Sequence, residues 1–343
     1  MKIIVDAMGG DNAPLEIVKG ALMAAEEFGV EITLVGQGEA ILRSLEQMGR
    51  KDLPVGVEVA NATQVVEMED DPATVTREKS DSSMTVGLRL LKEERADAMV
   101  SAGSTGALLS GATLIVKRIK GIRRAALAPK LPSKEKGVLL LDCGANAECT
   151  PEYLLQFAYM GYYYMKKLTK MDKPRVGLLN IGAEESKGTP LQREAYGLLK
   201  AAHESGRINF CGNVEARDVL LGGCDVVVSD GFSGNVFLKG LEGACMFFTD
   251  EIKELFKKSS KTKIAAAMLK DDFASFKKMF DMKEVGGTML LGIQKPVVKA
   301  HGSVDAYAMR SAILQAMDAV RTGVCSDIAE NVEYMKLNSA AAE

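Results

Sequence analysis

The chain has little that would suit it to nucleic acid. It contains no tryptophan, and aromatic residues make up 6% of its 343 positions, so a platform for stacking bases is not expected. Its net charge is −3, and no basic tail or stripe dominates the sequence. Because nucleic-acid binding depends on clustered positive charge, the sequence predicts no nucleic-acid partner.

Signals for a metal or a redox cofactor are also sparse. Only two histidines are present, His203 and His301, and no two of the six cysteines have C-x-x-C spacing. Zinc knuckles and thioredoxin-type sites use that spacing, so we expect free thiols in a reducing cytosol instead. The prediction is that the protein holds neither a metal nor a cofactor.

Long apolar runs and two common catalytic motifs are missing as well. No apolar run approaches the roughly 20 residues that cross a bilayer, and the N-terminus has no signal-peptide core. Neither G-x-x-x-x-G-K-[ST] nor G-x-S-x-G occurs, which disfavours a Walker-type nucleotide site and a serine hydrolase. We predict a cytoplasmic protein that could still lie on a membrane surface.

Strand-like and helix-like segments alternate along the chain. The strand-like segments are residues 3–5, 31–35, 57–59, 98–100, 137–141, 175–180, 208–210 and 225–229. This alternation predicts an α/β fold in which helices cover both faces of a mostly parallel sheet, giving three layers. A basic stretch with two prolines, residues 120–136, is expected to be a crossing loop. No low-complexity linker divides the chain, so residues 1–343 are predicted to form a single unit.

Two stretches of the sequence repeat one pattern. Residues 97–106 and 225–234 each contain an acidic residue, a short apolar strand and the pattern Ser-x-Gly-x-Ser/Thr-Gly. A strand that passes through such a turn into a helix leaves N–H groups unpaired at the positive end of the helix dipole, where an anion can bind. The candidate phosphate contacts from the two turns are Ser101, Gly103, Thr105, Gly106, Gly231, Ser233 and Gly234.

Three more polar, glycine-bearing loops follow predicted strands, at residues 6–11, 142–146 and 180–188. In sheets of this kind ligands bind beyond the carboxyl ends of the strands, which is where these loops are expected. The loops supply the remaining substrate-binding candidates: Asp6, Gly9, Gly10, Asp11, Asn146 and Asn180.

Two side chains in or near these loops could take part in chemistry. Lys187 lies in a polar turn after a strand, where it could neutralise an anion or polarise a carbonyl oxygen, or simply be a solvated loop lysine. His301 precedes a helix that is predicted to begin near Val304 with Ser303 as its N-cap. His301 could act as an acid, base or hydrogen-bond donor, or it could have a structural role only.

Residues 251–283 differ from the rest of the chain. This segment has nine lysines, no arginine and five acidic residues, a local charge of +4. Its apolar residues fall at helical spacing and are Ile252, Leu255, Phe256, Leu269, Phe273, Phe276 and Phe280. Basic amphipathic helices of this kind can lie in a membrane interface. The alternative is that the apolar stripe packs on the body of the protein or on a partner chain.

Taken in order, the motifs resemble those of a known family. The motif-bearing stretches are residues 6–14, 101–108, 180–188, 230–236 and 286–302. They are similar, over nearly the whole chain, to the phosphate acyltransferases of bacterial phospholipid synthesis. The resemblance implies a fold like that of isocitrate and isopropylmalate dehydrogenases and of phosphotransacetylase. It also implies a homodimer that associates peripherally with the membrane.

The resemblance further implies a reaction. An acyl group would pass from acyl-[acyl carrier protein] to inorganic phosphate, and the acyl phosphate would serve a membrane glycerol-phosphate acyltransferase. We predict that Lys187 and Asn235, with the backbone N–H groups of residues 232–235, donate to the oxyanion that forms when phosphate attacks the thioester. His301 is the third catalytic candidate.

Other functions remain open at this point. A phosphotransacetylase acting on coenzyme A thioesters would use nearly the same loops, but it would need a site for the adenine nucleotide. A decarboxylating dehydrogenase of similar fold would need an arginine cluster and spaced aspartate ligands for a metal, and the sequence shows neither. A non-catalytic scaffold that binds acyl carrier protein or a membrane is a third alternative.

Overall fold

The computed structural model describes residues 1–135, 137–273 and 286–336. Its strands are β1 (Lys2–Asp6), β2 (Glu31–Gly36), β3 (Val57–Asn61), β4 (Ala98–Ser101), β5 (Ala126–Ala128), β6 (Lys130–Leu131), β7 (Val138–Leu141), β8 (Arg175–Asn180), β9 (Asn209–Glu215), β10 (Val226–Val228), β11 (Gly287–Leu291) and β12 (Val297–Ala300).

The helices of the same residues are α1 (Leu15–Phe28), α2 (Gly38–Gln47), α3 (Val75–Glu78), α4 (Ser83–Lys92), α5 (Thr105–Gly111), α6 (Pro151–Thr169), α7 (Pro190–Glu204), α8 (Ala216–Val219), α9 (Gly231–Lys257), α10 (Ser260–Met268), α11 (Ala306–Thr322) and α12 (Val324–Glu330). A π-helical segment, Ala112–Lys117, continues α5, and a 3₁₀ turn, Val332–Met335, follows α12.

The strands form two sheets. The larger sheet has seven strands in the order β3-β2-β1-β4-β12-β11-β5, and the smaller has five in the order β6-β7-β10-β8-β9. Strand β11 is antiparallel to both of its neighbours and β6 is antiparallel to β7, while the other pairs are parallel. The mostly parallel α/β architecture is therefore confirmed, with two sheets where the sequence predicted one.

The two sheets meet where β5 continues through Pro129 into β6. The Leu140 N–H donates to the Pro129 carbonyl at 3.0 Å, which fastens this bend to β7. The prediction of a simple crossing loop over residues 120–136 is thus wrong, because β5 and β6 lie within it. Since β7 runs antiparallel to β6, the parallel strands of the smaller sheet run opposite in sense to the chain that enters from the larger one.

Alternation of side chains along the strands places helices on both faces of the sheets. In the smaller sheet, Leu139 and Leu141 pack into a core shared with α6, whereas Val138 and Leu140 face a second core that includes Leu238 of α9. On the larger sheet, α1 and α11 pack together on one face and α4 covers the other. The first core contains residues of β1 as well as β7, so it extends across both sheets.

Helix α9 is held to the body only at its beginning. Of its 27 residues, only Gly231, Gly234 and Leu238 are buried. A Cβ on Gly234 would lie 1.9 Å from the Asp142 carbonyl oxygen, so only glycine allows the first turn to approach β7 this closely. Further along, α9 and α10 expose large apolar side chains, which are Met246, Phe247, Phe248, Leu255, Ile264 and Met268.

We therefore expect opposite effects from two alanine substitutions in α9. Gly234→Ala should lower the free energy of unfolding by about 1 to 3 kcal/mol, because the added methyl group forces the backbone off Asp142. Gly240→Ala is the matched control, since open space surrounds that position. It should raise stability by about 0.5 to 1 kcal/mol, as alanine does in an exposed helix. Urea unfolding measures both, and equal changes would contradict the close approach.

Candidate functional site

One group of loops lies at the carboxyl ends of β1 and β4. Asp6, the last residue of β1, is 1% exposed, and its carboxylate accepts hydrogen bonds from Ser101 Oγ at 2.6 Å and the Met8 N–H at 3.2 Å. Ser101 Oγ in turn accepts from the Gly103 N–H at 3.1 Å. Burial raises the pKa of Asp6, and the hydrogen bonds oppose that shift. The Asp6 carboxyl thus fastens the first loop to the first glycine turn.

Glycines allow these loops to touch. A Cβ on Gly9 would lie 2.6 Å from the Gly103 nitrogen. Gly10 has a φ of +102°, and a Cβ there would lie 2.9 Å from the Gly302 carbonyl oxygen. The Asp11 N–H donates to that same oxygen at 2.8 Å. The structure therefore brings the substrate-binding candidates of residues 6–11 and 101–106 together with the loop that carries His301.

A lysine that the sequence analysis did not select lies at the centre of this group. Lys299, near the end of β12, donates from Nζ to the Ala102 carbonyl at 3.3 Å and also to the Ala300 carbonyl. Burial lowers the pKa of Lys299 to about 8, while Asp6 and Asp11 act in the opposite direction. Its position beside two glycine motifs was visible in the sequence, but its burial was not.

His301 is exposed beside these loops. The Ser303 N–H donates to His301 Nδ1 at 3.2 Å, and Ser303 Oγ lies 2.9 Å from the same nitrogen. Ser303 does not cap the following helix. Helix α11 begins at Ala306, and its N-cap is Asp305, whose side chain accepts from the Ala308 N–H at 2.9 Å. The N-cap prediction was therefore wrong by two residues, and Ser303 orients the imidazole instead.

The second group of loops surrounds Asp142, which follows β7 and is fully buried. Its Oδ1 accepts from the N–H groups of Leu127, Cys143 and Ala145 at 2.9, 2.8 and 3.3 Å. Its Oδ2 accepts from the backbone and the side-chain nitrogens of Asn146 at 2.6 and 3.0 Å. Burial raises the pKa of Asp142, and these hydrogen bonds oppose it. One carboxyl thereby shapes the whole loop.

The two similar turns differ at their helix starts. In the first turn Ser104 caps α5 by accepting from the Ala107 N–H at 3.5 Å, and the helix begins at Thr105. A Cβ on Gly106 would lie 2.8 Å from Pro72 Cγ. In the second turn a carboxylate caps α9 in place of a hydroxyl. The negative charge of Asp230 offsets the positive end of the α9 dipole, which the sequence pattern had predicted to bind an anion.

The start of α9 uses several of the donors that were predicted for the oxyanion. The Ser233 N–H donates to Asp230 Oδ1 at 2.8 Å, and the Gly234 N–H donates to the Asp230 carbonyl at 3.0 Å. The Gly231 N–H donates to the Asn146 carbonyl at 2.8 Å. Two of the backbone donors predicted over 232–235 are therefore engaged within the turn. The side chain of Asn235 remains exposed on the first turn of the helix.

The loop that carries Lys187 emerges beside this helix start. Strands β8 and β10 are neighbours, with Val228 paired to Leu178. Asn180, the last residue of β8, accepts from the Ile181 N–H at 2.8 Å and donates to the Lys187 carbonyl at 3.2 Å, closing residues 180–187 into a compact loop. Lys187 is exposed at its end. The cationic side chain of Lys187 thus follows β8, and the amide of Asn235 lies on the helix that follows the neighbouring strand β10.

Comparisons with known proteins agree with the motifs. Residues 1–327 match the fatty acid synthesis protein family. The phosphate acyltransferase of Thermoanaerobacter pseudethanolicus is 45% identical over 336 residues, which is 98% of each chain. That of Lysinibacillus sphaericus is 46% identical over 340 residues, covering 98% of this chain and 100% of its own. The chain belongs to the phosphate acyltransferase family.

Solved structures extend the likeness of the fold beyond this family. A phosphotransacetylase from Streptococcus pyogenes has a TM-score of 0.62 at 21% identity, covering 94% of each chain. A 4-hydroxythreonine-4-phosphate dehydrogenase from Klebsiella pneumoniae has a TM-score of 0.54 at 12% identity, covering 93% of this chain and 98% of its own. Identities this low show the fold alone, and they confirm the dehydrogenase-like α/β fold class.

The catalytic candidates of this family member fall into the two groups. Lys187 and Asn235 lie on the smaller sheet, whereas His301 lies on the larger one, at the opposite side of the β5–β6 junction. Each polar loop follows the carboxyl end of a strand, but the loops belong to two different sheets. The roles of all three residues stay predictions.

The described residues contain neither a candidate metal cluster nor a candidate membrane-spanning helix. Within residues 1–135, 137–273 and 286–336, no three His, Cys, Asp or Glu side chains gather in a way that could hold a metal ion. Across the same ranges, no helix is both long and apolar enough to cross a membrane.

The described part of the basic segment at 251–283 is mostly helical, with a break between the end of α9 at Lys257 and the start of α10 at Ser260. The ring of Phe273 packs edge-on against Phe256 at 4.9 Å between centroids, so two residues of the predicted stripe contact each other within the segment. Leu255 and Leu269 are exposed. Phe276 and Phe280 lie outside the described residues. The exposed apolar surface is therefore carried by Met246, Phe247 and Phe248 as well as by the predicted segment.

We expect the burial of Lys299 to make stability depend on pH. Its folded pKa of about 8 lies below the value of about 10.4 in an unfolded chain. Below pH 8 both states hold the proton and the cost of the buried charge is fully present. Between these values the unfolded state binds more protons, so the free energy of unfolding rises with pH.

Urea unfolding of wild type and Lys299→Met between pH 7 and 10 tests this dependence. From pH 7 to pH 10, the free energy of unfolding of the wild type should rise by on the order of 1 kcal/mol relative to that of Lys299→Met. Lys51→Met, at an exposed position, is the control: it keeps Lys299, so its free energy of unfolding should differ from that of the wild type by a constant amount across this pH range. A flat difference between wild type and Lys299→Met would contradict the effect of burial.

Proposed function

We propose that this chain transfers a fatty acyl group from acyl-[acyl carrier protein] to inorganic phosphate, yielding acyl phosphate for phospholipid synthesis. Family membership supports this reaction. The observation that carries it structurally is the pairing of β8 with β10, which sets the Lys187 loop beside the first turn of α9. An exposed cation and an exposed amide at adjacent strand ends suit a phosphate nucleophile and a developing oxyanion.

For this reaction the protein has to position the two reactants and stabilise the charge that develops on the carbonyl oxygen. A phosphate oxygen attacks the thioester carbonyl carbon, the carbonyl oxygen becomes an oxyanion, and the C–S bond then breaks. The acyl–oxygen bond remains in the acyl phosphate, and the carrier leaves as a thiolate that takes up a proton. Because phosphate is already anionic near neutral pH, no strong base is needed. Lys187 and Asn235 supply donors to the oxyanion, and holding the reactants together supplies much of the rest.

The test is direct measurement of acyl phosphate. Purified protein, long-chain acyl carrier protein and phosphate should give acyl phosphate and free carrier thiol in equal amounts. The same protein with acyl-coenzyme A should be much less active. Higher activity with coenzyme A thioesters would favour a phosphotransacetylase-like enzyme. Absence of acyl phosphate with either substrate would indicate a scaffold.

Removing either side-chain donor should slow turnover. Lys187→Ala and Asn235→Ala are each expected to lower kcat by on the order of 10²-fold, the usual cost of losing one oxyanion donor. Both should stay folded, since both side chains are exposed. Lys51→Ala, an exposed lysine far from these loops in sequence, should leave kcat unchanged. Near-normal turnover in folded forms of both variants would refute their assignment.

We propose further that the enzyme is a cytoplasmic homodimer of single catalytic units, each formed by residues 1–343. It meets the membrane peripherally through the Lys-rich residues 251–283. The lysines would be attracted to anionic headgroups at roughly 1 kcal/mol each. Exposed Ile264 and Met268 on α10 would add apolar burial. Release at the membrane would pass the labile product to a glycerol-phosphate acyltransferase through little water.

The double variant Ile264→Asp with Met268→Asp tests this contact. We expect it to remain dimeric and active on acyl carrier protein but to stop co-sedimenting with anionic vesicles. Leu42→Asp, at an exposed apolar position on α2, is the control and should still co-sediment. Dissociation of the double variant into monomers would assign α10 to the subunit interface. If the wild type does not co-sediment with anionic vesicles, the membrane role of the segment is excluded.

A further inference from the structure

Residues 117–124 carry a concentrated positive charge that the proposed chemistry does not use. The segment holds five basic residues and no acidic one, in a chain whose net charge is −3. The basic residues are Lys117, Arg118, Lys120, Arg123 and Arg124. Lys117 ends the π-helical segment, and the other four lie between it and β5, shortly before the junction of the two sheets. So much charge of one sign in a short segment favours an acidic partner.

A buried glutamine fixes the shape of this segment. Gln156 of α6 is 0% exposed; its Oε1 accepts from the Arg123 N–H at 2.8 Å, and its Nε2 donates to the Gly121 carbonyl at 3.1 Å. Ile119 and Ile122 are buried beneath the turn. With the backbone and both isoleucines committed to the interior, the surface that remains is basic and is already held in one conformation. Such preorganisation reduces the entropy lost on binding.

Most of the exposed cations are available to a partner. Arg123 Nε lies 3.3 Å from a Glu152 carboxylate oxygen, which partly neutralises it. Lys117, Lys120 and Arg124 are also exposed, and no carboxylate of the described ranges lies within 4.0 Å of their charged nitrogens. Leu114, three residues before the segment, is 59% exposed and would add an apolar contact at its edge. Mixed apolar and charged surfaces of this kind are typical of protein interfaces.

The segment leads directly to the start of α9. The carbonyl of Ala125, the residue after Arg124, accepts from Asn146 Nδ2 at 2.8 Å, and the Asn146 carbonyl accepts from the Gly231 N–H. Burial raises the pKa of Cys149 in this same loop to about 12, and the positive charge of Arg124 opposes that shift. The field of Arg124 therefore reaches the loop on which the helix start rests.

We propose that residues 117–124 are the docking surface for an acidic protein partner, and that this partner is the acyl carrier protein. This inference rests on the proposed function for the identity of the partner. A carrier bound here would present its thioester toward the first turn of α9. A lipid surface is the less favoured occupant, because the two isoleucines of the segment are buried. The large apolar side chains suited to insertion lie on α9 and α10.

Charge reversal tests the proposal. Lys120→Glu with Arg124→Glu should lower kcat/KM for acyl carrier protein at least tenfold, because complementary charge speeds and stabilises encounter. The effect should lie in KM for the carrier, with kcat at saturation and KM for phosphate little changed. Arg43→Glu with Lys51→Glu, two exposed positions on and after α2, makes the same change in net charge and should have little effect. Binding of fluorescent carrier protein by anisotropy should weaken in parallel and should lose part of its salt dependence.

Several outcomes would overturn the docking surface. Equal losses in the two double variants would mean that only net charge matters. Unchanged carrier binding in Lys120→Glu with Arg124→Glu would exclude the segment, and loss of binding to anionic vesicles alone would assign it to lipid. Lys120→Gln with Arg124→Gln should give an intermediate loss, which separates charge from misfolding. If wild type binds carrier through this segment but forms no acyl phosphate, the proposed reaction fails while the docking surface stands.

Discussion

The buried carboxyl of Asp142 is the contact on which the smaller-sheet site depends. It accepts five hydrogen bonds, from Leu127, Cys143, Ala145 and twice from Asn146. Leu127 belongs to the edge of the larger sheet, so this one side chain joins both sheets to the loop after β7. The Leu127 and Cys143 N–H groups are buried, and leaving either one without an acceptor would cost about 1 to 3 kcal/mol. The hydrogen bonds therefore fix the loop by making other arrangements expensive.

That loop in turn sets the position of α9. The Asn146 carbonyl accepts from the first N–H of the helix, and the Asp142 carbonyl leaves room only for a glycine at 234. Because α9 buries little beyond this point, its direction follows from its first two turns. The proposed oxyanion donors, the basic segment before β5 and the exposed apolar end of α9 are consequently parts of one continuous arrangement. A shift at Asp142 would displace all of them together.

The larger-sheet group is held together by two buried charged side chains. Asp6 and Lys299 are charges taken out of water, and each is held by hydrogen bonds to neighbouring loops. Burying charge is costly, so such groups are retained where they impose a particular geometry or chemistry. Here they fix three loops that also carry His301. In the smaller-sheet group Asp142 is buried as well, but Lys187 and Asn235 are exposed, which suits direct contact with a phosphate or a thioester.

The local patterns of the sequence determined much of this protein. Short β-branched and leucine runs separated by helical periodicity predicted the α/β class, because side-chain alternation and helix spacing are properties of neighbouring residues. The glycine and hydroxyl turns after strands likewise identified the loops at which both groups of site residues lie. The motifs were specific enough to indicate the family, because they occur in the family's order along nearly the whole chain.

Only the tertiary structure decided how those loops are grouped. The chain passes from the edge of the larger sheet into β6, whose antiparallel pairing with β7 begins a second sheet. Pairing between strands distant in sequence, such as β8 with β10, leaves no local signal. The burial of Lys299 and the hydrogen bonds that Asp142 accepts also leave no local signal. Nor does the sequence show that the Asp230 carboxylate accepts from a backbone N–H that was predicted to bind an anion. Each depends on which distant segments meet, and that is settled by packing and the pairing of buried polar groups rather than by any one stretch of sequence.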